Sequence, residues 1–121
     1  MKTLLAGISI ALLAGTAAVQ ADAQSVKLTI TNSADRNIQV DVYDVVTDKN
    51  DSTPEVTPGG TVVSNATIGD DGMLNFRFSI LYRGDASTAS YFRCWPVSTN
   101  PNGQSELTYS VDTGSGKDGR C

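Results

Sequence analysis

The sequence predicts an all-β fold: a small antiparallel β-sandwich or open barrel of about six to seven strands, preceded by a cleaved signal peptide. Three observations lead to this prediction. Apolar and polar residues alternate with a period of two in several short segments, and turn-forming residues separate those segments. The mature region also lacks any stretch with the apolar period of an amphipathic helix.

The first 23 residues have the layout of a bacterial-type secretory signal peptide. Met1 and Lys2 give a positive start, residues 4–19 are almost unbroken apolar or small residues, and Ala21-Asp22-Ala23 forms a small-x-small cleavage pattern. The alternative is a lone transmembrane helix, but spanning a bilayer needs about 20 apolar residues and this run is interrupted. We therefore expect a secreted or periplasmic mature chain that starts near Gln24 and has no membrane span after cleavage.

The first half of the mature region predicts three strands and one long loop. Residues 26–31 and 38–46 alternate between apolar and polar side chains, which predicts two half-buried strands. Residues 47–58 are mostly polar and include two prolines, so we expect a surface loop there. A third strand is predicted over residues 61–68, and the Gly-Asp-Asp-Gly sequence at residues 69–72 is a tight-turn signal.

The clearest alternation lies in residues 74–82, which predict the fourth strand. Two further strands are expected over about residues 88–97 and 107–112, and residues 113–121 form a flexible Gly-rich tail. Residues 24–121 are thus predicted to be a single β domain. Its expected core consists of Leu28, Ile30, Val40, Val42, Leu74, Phe76, Phe78, Ile80, Leu107 and Val111.

Cys94 and Cys121 are the two cysteines of the chain. In an oxidising compartment an isolated pair is expected to form a disulfide, which would clip the C-terminal tail to the body of the domain. Closing a loop of roughly 28 residues stabilises a fold by about 3–4 kcal/mol on the chain-entropy model. The alternative is a reactive or intermolecular thiol.

The charge pattern excludes some partners. The chain has a net charge of −4 and no basic run, so it has no electrostatic footprint for nucleic acid or for an anionic membrane surface. We expect a monomer that requires no cofactor.

The chain contains no histidine, which removes the usual general base, the Ser/His and Cys/His nucleophile pairs and imidazole metal sites. Residues 112–115, Asp-Thr-Gly-Ser, resemble the active-site motif of aspartic peptidases, whose paired carboxylates perform acid–base catalysis. Only six residues follow this motif, whereas that family continues for most of a domain. We therefore interpret it as a turn at a strand end.

Asp48, Asn50 and Ser52 have the alternate spacing of the first ligands in a calcium-binding loop. The required glycine and the acidic twelfth ligand are replaced by Thr53 and Gly59, so a solvated polar loop is the expectation and no metal ligand is assigned.

The candidate ligand-binding residues are Tyr91, Arg93 and Trp95, with Arg77 from the preceding strand. Alternation in a strand places the first three on one face, and we expect Phe92 and Cys94 to face the core on the other. Rings that flank a cation form a flat surface suited to sugars or protein partners. The alternative is that Tyr91 and Trp95 face the core and Arg93 lies at its rim.

Together these features predict an exported, non-enzymatic binding module that recognises a glycan, a cell-wall polymer or an envelope protein. One alternative is a carboxylate-dependent extracellular hydrolase, in which Asp112 or a loop carboxylate is the acid or base. The other is a structural subunit of a surface assembly, because unpaired edge strands accept added strands.

Overall fold

The computed structural model describes residues 24–121, and the predicted signal peptide lies outside the described residues. Within them the regular structure is entirely β, and no helix able to cross a membrane occurs there. The strands found in residues 24–121 are β1 (Ser25–Asn32), β2 (Ile38–Asp44), β3 (Lys49–Ser52), β4 (Thr61–Thr67), β5 (Leu74–Tyr82), β6 (Tyr91–Thr99), β7 (Glu106–Val111) and β8 (Lys117–Asp118).

These strands form two sheets. One has three strands in the order β4-β1-β7, and the other has five in the order β3-β2-β5-β6-β8. All neighbours pair antiparallel except β1 and β7, which run parallel. The prediction of an antiparallel fold is wrong for this one pair. A parallel pair needs a long crossover connection, and the intervening chain that builds the five-stranded sheet provides it.

The two sheets share one hydrophobic core because all strands except β3 and β8 turn their apolar alternate residues inward. The Tyr109 ring of β7 meets the rings of Phe76 and Phe78 of β5 edge to face, with centroids 5.7 and 5.3 Å apart. Every residue of the predicted core is fully buried except Leu107, which is partly buried against the same cluster. β5 lies at the centre of the larger sheet, and its five inward residues are all buried.

Two short strands were not expected. β3 lies in the predicted loop of residues 47–58, and all four of its residues are exposed. β3 is held by backbone pairing to β2 and buries no apolar side chain. Its sequence therefore has no alternation of apolar and polar residues from which a strand could be predicted. A tight hairpin precedes it, in which Asp48 adopts a φ of 57°.

β8 lies in the tail that was predicted to be flexible. Lys117 and Asp118 pair with Cys94 and Arg93 of β6, and Cys121 is disulfide-bonded to Cys94. The tail therefore supplies the fifth, short strand of this sheet, and the predicted disulfide is confirmed.

Candidate functional site

The structure keeps Tyr91, Arg93 and Trp95 on one face of β6, as alternation predicts, but this face is the inner one. Their cross-strand partners are Tyr82, Ile80 and Phe78 of β5, which are all fully buried. The prediction that Phe92 and Cys94 face the core is therefore wrong. The disulfide lies on the solvent side of the sheet because the tail that carries Cys121 crosses outside it.

Trp95 and Tyr91 are partly buried and pack against the hydrophobic core. The Trp95 ring contacts Phe78 edge to face, with centroids 5.4 Å apart, and contacts Tyr109 of the other sheet at 5.7 Å. Tyr91 stacks on Tyr82, with centroids 4.7 Å apart and an angle of 12° between the ring planes. Aromatic pairs in these geometries add about 0.5–1.5 kcal/mol beyond the area they bury.

Arg93 holds the C-terminal tail. Its Nε donates to the carbonyl of Ser115 at 3.0 Å, its Nη2 to the carbonyl of Gly116 at 2.9 Å, and its Nη1 to the Asp118 carboxylate at 2.8 Å. Each nitrogen of the Arg93 guanidinium therefore donates to the C-terminal tail. Tyr82 also contacts this tail, because its hydroxyl donates to the carbonyl of Asp112 at 2.5 Å.

The Asp112 carboxylate is also occupied by its own turn. Its Oδ1 accepts the backbone N–H of Gly114 at 2.9 Å and the Ser115 hydroxyl at 3.2 Å. These contacts stabilise a tight turn after β7. They agree with the turn interpretation of the Asp-Thr-Gly-Ser motif.

The fourth predicted site residue, Arg77, lies on the opposite side of the five-stranded sheet from the other three. We call this solvent side the outer face. Arg77 pairs in register with Tyr43 of β2 and Pro96 of β6, and its guanidinium lies 4.4 Å from the centroid of the Tyr43 ring. The Tyr43 hydroxyl donates to Asp48, and this hydrogen bond raises the Tyr43 pKa.

The Arg77 guanidinium is short of partners. Its Nε is buried without a hydrogen bond, and Arg77 forms no ion pair within residues 24–121. A cation over a ring is stabilised by the ring's π face, while its outward N–H groups remain able to bind an acceptor.

Next to this arginine–tyrosine pair the outer face forms a shallow depression of about 260 Å³, which we call the Asp41 depression. Asp41 pairs with Ser79 and Ser52 across the sheet, and among residues 24–121 these three side chains make no hydrogen bond to one another or to other groups. The Arg120 guanidinium lies 3.9 Å from the Phe92 ring centroid. The depression is lined by Gln39, Asp41, Ser52, Ser79, Leu81, Phe92 and Arg120.

A second cleft, of about 490 Å³, lies near the ends of β2 and β5. Its charged groups satisfy one another: Glu55 accepts from Arg83 and from Asn37, both at 2.9 Å, and Arg36 pairs with Asp35 at 3.2 Å. The hydrogen bond from Asn37 and then the one from Arg83 lower the Glu55 pKa. A cleft with such internally paired groups presents few free donors or acceptors to a ligand.

The hairpin residues that were compared with a calcium loop lie in and beside the paired strand β3. Asn50 and Ser52 pair with Tyr43 and Asp41 and lie on the same, outer face, and the Asp48 carboxylate accepts a hydrogen bond from the Tyr43 hydroxyl. The buried Asp44 carboxylate accepts from Thr67 N–H at 3.0 Å. In the part of the chain that is described, no group of three or more His, Cys, Asp or Glu side chains is placed to hold a metal ion.

Sequence reasoning missed Tyr43, Phe92 and Arg120. The alternation of β2 predicts that Tyr43 faces solvent, but its contact with Arg77 depends on how the strands pair, which the sequence pattern does not show. Phe92 was assigned to the core, and Arg120 was assigned to a flexible tail.

In comparisons with known proteins, no family model, no curated protein and no solved structure matches the chain.

Proposed function

We propose that the chain is an exported, non-catalytic module that binds a glycan at the Asp41 depression, on the outer face of the five-stranded sheet. The observation that carries this proposal is a set of unpaired polar groups in the depression: within residues 24–121, the Asp41 carboxylate and the Ser52 and Ser79 hydroxyls make no hydrogen bond. A carboxylate, an amide and two hydroxyls lie beside the Phe92 ring, in a hollow of about 260 Å³.

This combination matches the chemistry of a sugar. A sugar ring presents hydroxyls at its edge, which donate to carboxylate and amide oxygens, and C–H groups on its face, which pack against an aromatic ring. Asp41 provides the free acceptor, and the Gln39 amide, whose oxygen accepts from Arg83 at 3.5 Å, lies beside it. Phe92 provides the ring, one face of which is covered by the Arg120 guanidinium.

The outer face offers room for more than one sugar unit. Phe92 and Leu81 lie in one cross-strand row, Asp41 and Ser79 in the next, and Tyr43 with Arg77 in the third. Alternate residues along a strand are about 6.6 Å apart, so the three rows extend over about 13 Å. Residues held by strand pairing are also pre-organised, which lowers the entropy lost on binding.

An exported location agrees with the disulfide between Cys94 and Cys121, because such bonds persist in oxidising compartments. The predicted signal peptide also supports an exported location. Glycans of the cell envelope are therefore the first ligands to test.

The test is a binding titration of the purified exported chain against wall and glycan fractions. Asp41→Asn removes the charged acceptor, and a hydrogen bond to a charged group contributes about 1.5–3 kcal/mol, so binding should weaken by about tenfold or more. Asp70→Asn makes the same chemical change in the exposed turn after β4, and it should leave binding unchanged. Equal affinity of the two variants would refute the proposed site.

A further inference from the structure

The four edges of the two sheets are not protected equally against the addition of another strand. β3 is only four residues long and begins with Lys49. At the opposite edge, the two-residue strand β8 covers only part of β6. The Gly119 N–H bonds to the Phe92 carbonyl, so the backbone groups of the even-numbered β6 residues point toward this edge, where Pro96 has no N–H. On β4, Asp44 takes the outward N–H of Thr67, which blocks one end of this edge, whereas the outward N–H groups of Thr61, Val63 and Asn65 have no partner strand among residues 24–121. Short strands, lysine, proline and acidic cover are all features that block edge pairing.

The edge of β7 has none of these features. The Lys27 N–H bonds to the Ser105 carbonyl, and the Ser33 N–H bonds to the Val111 carbonyl, so the odd-numbered residues of this region face β1. The backbone N–H and C=O groups of Glu106, Thr108 and Ser110 consequently point away from the sheet. No strand among residues 24–121 pairs with that side.

Apolar side chains line the same open side of the molecule. Leu107 and Tyr109 of β7, and Trp95 and Val97 of β6, are only partly buried against the core. The rings of Trp95 and Tyr109 meet across the gap between the two sheets. A strand added beside β7 would cover these side chains as well as the free backbone groups.

We propose that β7 pairs antiparallel with β7 of a second copy of this chain, about a twofold axis at Thr108. In this register Thr108 lies opposite itself, and Glu106 lies opposite Ser110 of the other copy. These are the residues whose backbone groups face outward, so each of these opposite pairs can exchange hydrogen bonds.

Charge supports the same register. Glu106 is the one charged residue of β7, and in this arrangement it meets a serine rather than a second glutamate. Like charges directly opposite each other destabilise paired strands, and here none occur. On the inner side, Leu107 of one copy lies opposite Tyr109 of the other, which extends the core across the axis. The proposed dimer is an alternative to the monomer expected from the sequence, and it is independent of glycan binding.

The test is sedimentation of the full exported chain over a range of concentrations, with two substitutions at one position. Thr108→Pro removes the outward N–H but no bond to β1, so it should weaken the dimer by at least about tenfold. Thr108→Ala keeps the N–H and should leave the dissociation constant within about threefold. Circular dichroism establishes that both variants remain folded.

Ser110→Glu gives a second test if Thr108→Pro does not fold. It places a carboxylate opposite Glu106 of the other copy, so the dimer should weaken at low salt and recover as salt screens the repulsion. A wild-type chain that is monomeric at every concentration would overturn the proposal, as would a dimer that tolerates both Thr108→Pro and Ser110→Glu. A monomer whose β7 binds a different exported protein would overturn it in favour of that partner.

Discussion

Tyr82 and Arg93 hold the C-terminal tail on the inner side of β5 and β6, where neither side chain is available to a ligand. Tyr82 is fully buried, yet its hydroxyl reaches the Asp112 carbonyl. Arg93 is less buried and donates to the carbonyls of Ser115 and Gly116, the first of which also accepts from the Tyr82 hydroxyl at 3.3 Å. Both residues illustrate how a polar group in a core acquires a structural partner.

Tyr82 should make the stability of the fold sensitive to alkaline pH. Burial raises the pKa of Tyr82 to about 12, from 10.0 for an unperturbed tyrosine. The native state therefore keeps a proton that the unfolded chain releases, and the stabilisation is present below pH 10 and is lost as the pH rises through about 12. We expect the free energy of unfolding to fall over this range and to fall less steeply in Tyr82→Phe.

Urea unfolding of both proteins at about pH 8 and about pH 11 measures this difference in slope. Tyr82→Phe should also lose about 0.5–1.5 kcal/mol at the lower pH, because the hydrogen bond to Asp112 is removed. Parallel pH profiles for the two proteins would contradict the role assigned to the buried hydroxyl.

The position of the C-terminal tail depends on the backbone conformation of Gly116. Gly116 has a φ of +83°, and a Cβ at this position would lie 2.9 Å from the Cys94 carbonyl oxygen. The close approach lets the tail turn beside β6, so that Lys117 and Asp118 pair with it and Cys121 reaches Cys94.

Gly116→Ala should therefore destabilise the chain by about 1–3 kcal/mol, because alanine is strained at positive φ and its methyl group meets backbone. Gly114→Ala is the matched control, since a Cβ there meets only the Asp112 carboxylate at 3.5 Å, and it should change stability by no more than about 0.5 kcal/mol. Thermal unfolding measures both variants. Equal losses would show that the tail tolerates another path.

Period-two alternation was enough to predict the major strands and much of the core, although the prediction left out Val26, Ile38 and Tyr82, which are equally buried. Leu74, Phe76, Phe78 and Ile80 occupy every inward position before Tyr82, so only one orientation of β5 buries apolar surface. β3 and β8 could not be predicted this way, because they bury no apolar face and are held by backbone pairing and by the disulfide.

The orientation of β6 was misassigned because both of its faces carry aromatic residues. The prediction placed the cysteine inward, which reversed the two faces. Val97 provides a signal in the sequence, since it continues the face of Tyr91 and Trp95 and makes that face the more apolar one. The partnership of Tyr43 with Arg77, and that of Phe92 with Arg120, join residues distant in sequence and needed the sheet register.

At the scale of the whole molecule, each surface has a different role. The inner faces of the two sheets form the core, the outer face of the five-stranded sheet carries the proposed glycan site, and the free edge of β7 carries the proposed dimer contact. The tail connects these surfaces, because Arg93 binds it from the inner side while Arg120 and Cys121 lie on the outer side.

The most direct test of the central claim compares two aromatic residues of β6 that face opposite sides. Phe92→Ala and Trp95→Ala are each measured for stability by urea unfolding and for affinity by titration with the glycan fraction that the wild-type chain binds. We predict that Phe92→Ala weakens binding by about tenfold or more with little loss of stability. Trp95→Ala should lose about 2–3 kcal/mol of stability, less than full burial would cost, while its folded fraction binds normally. The reverse result, with binding lost only in Trp95→Ala, would contradict the assignment of the ligand surface to the outer face.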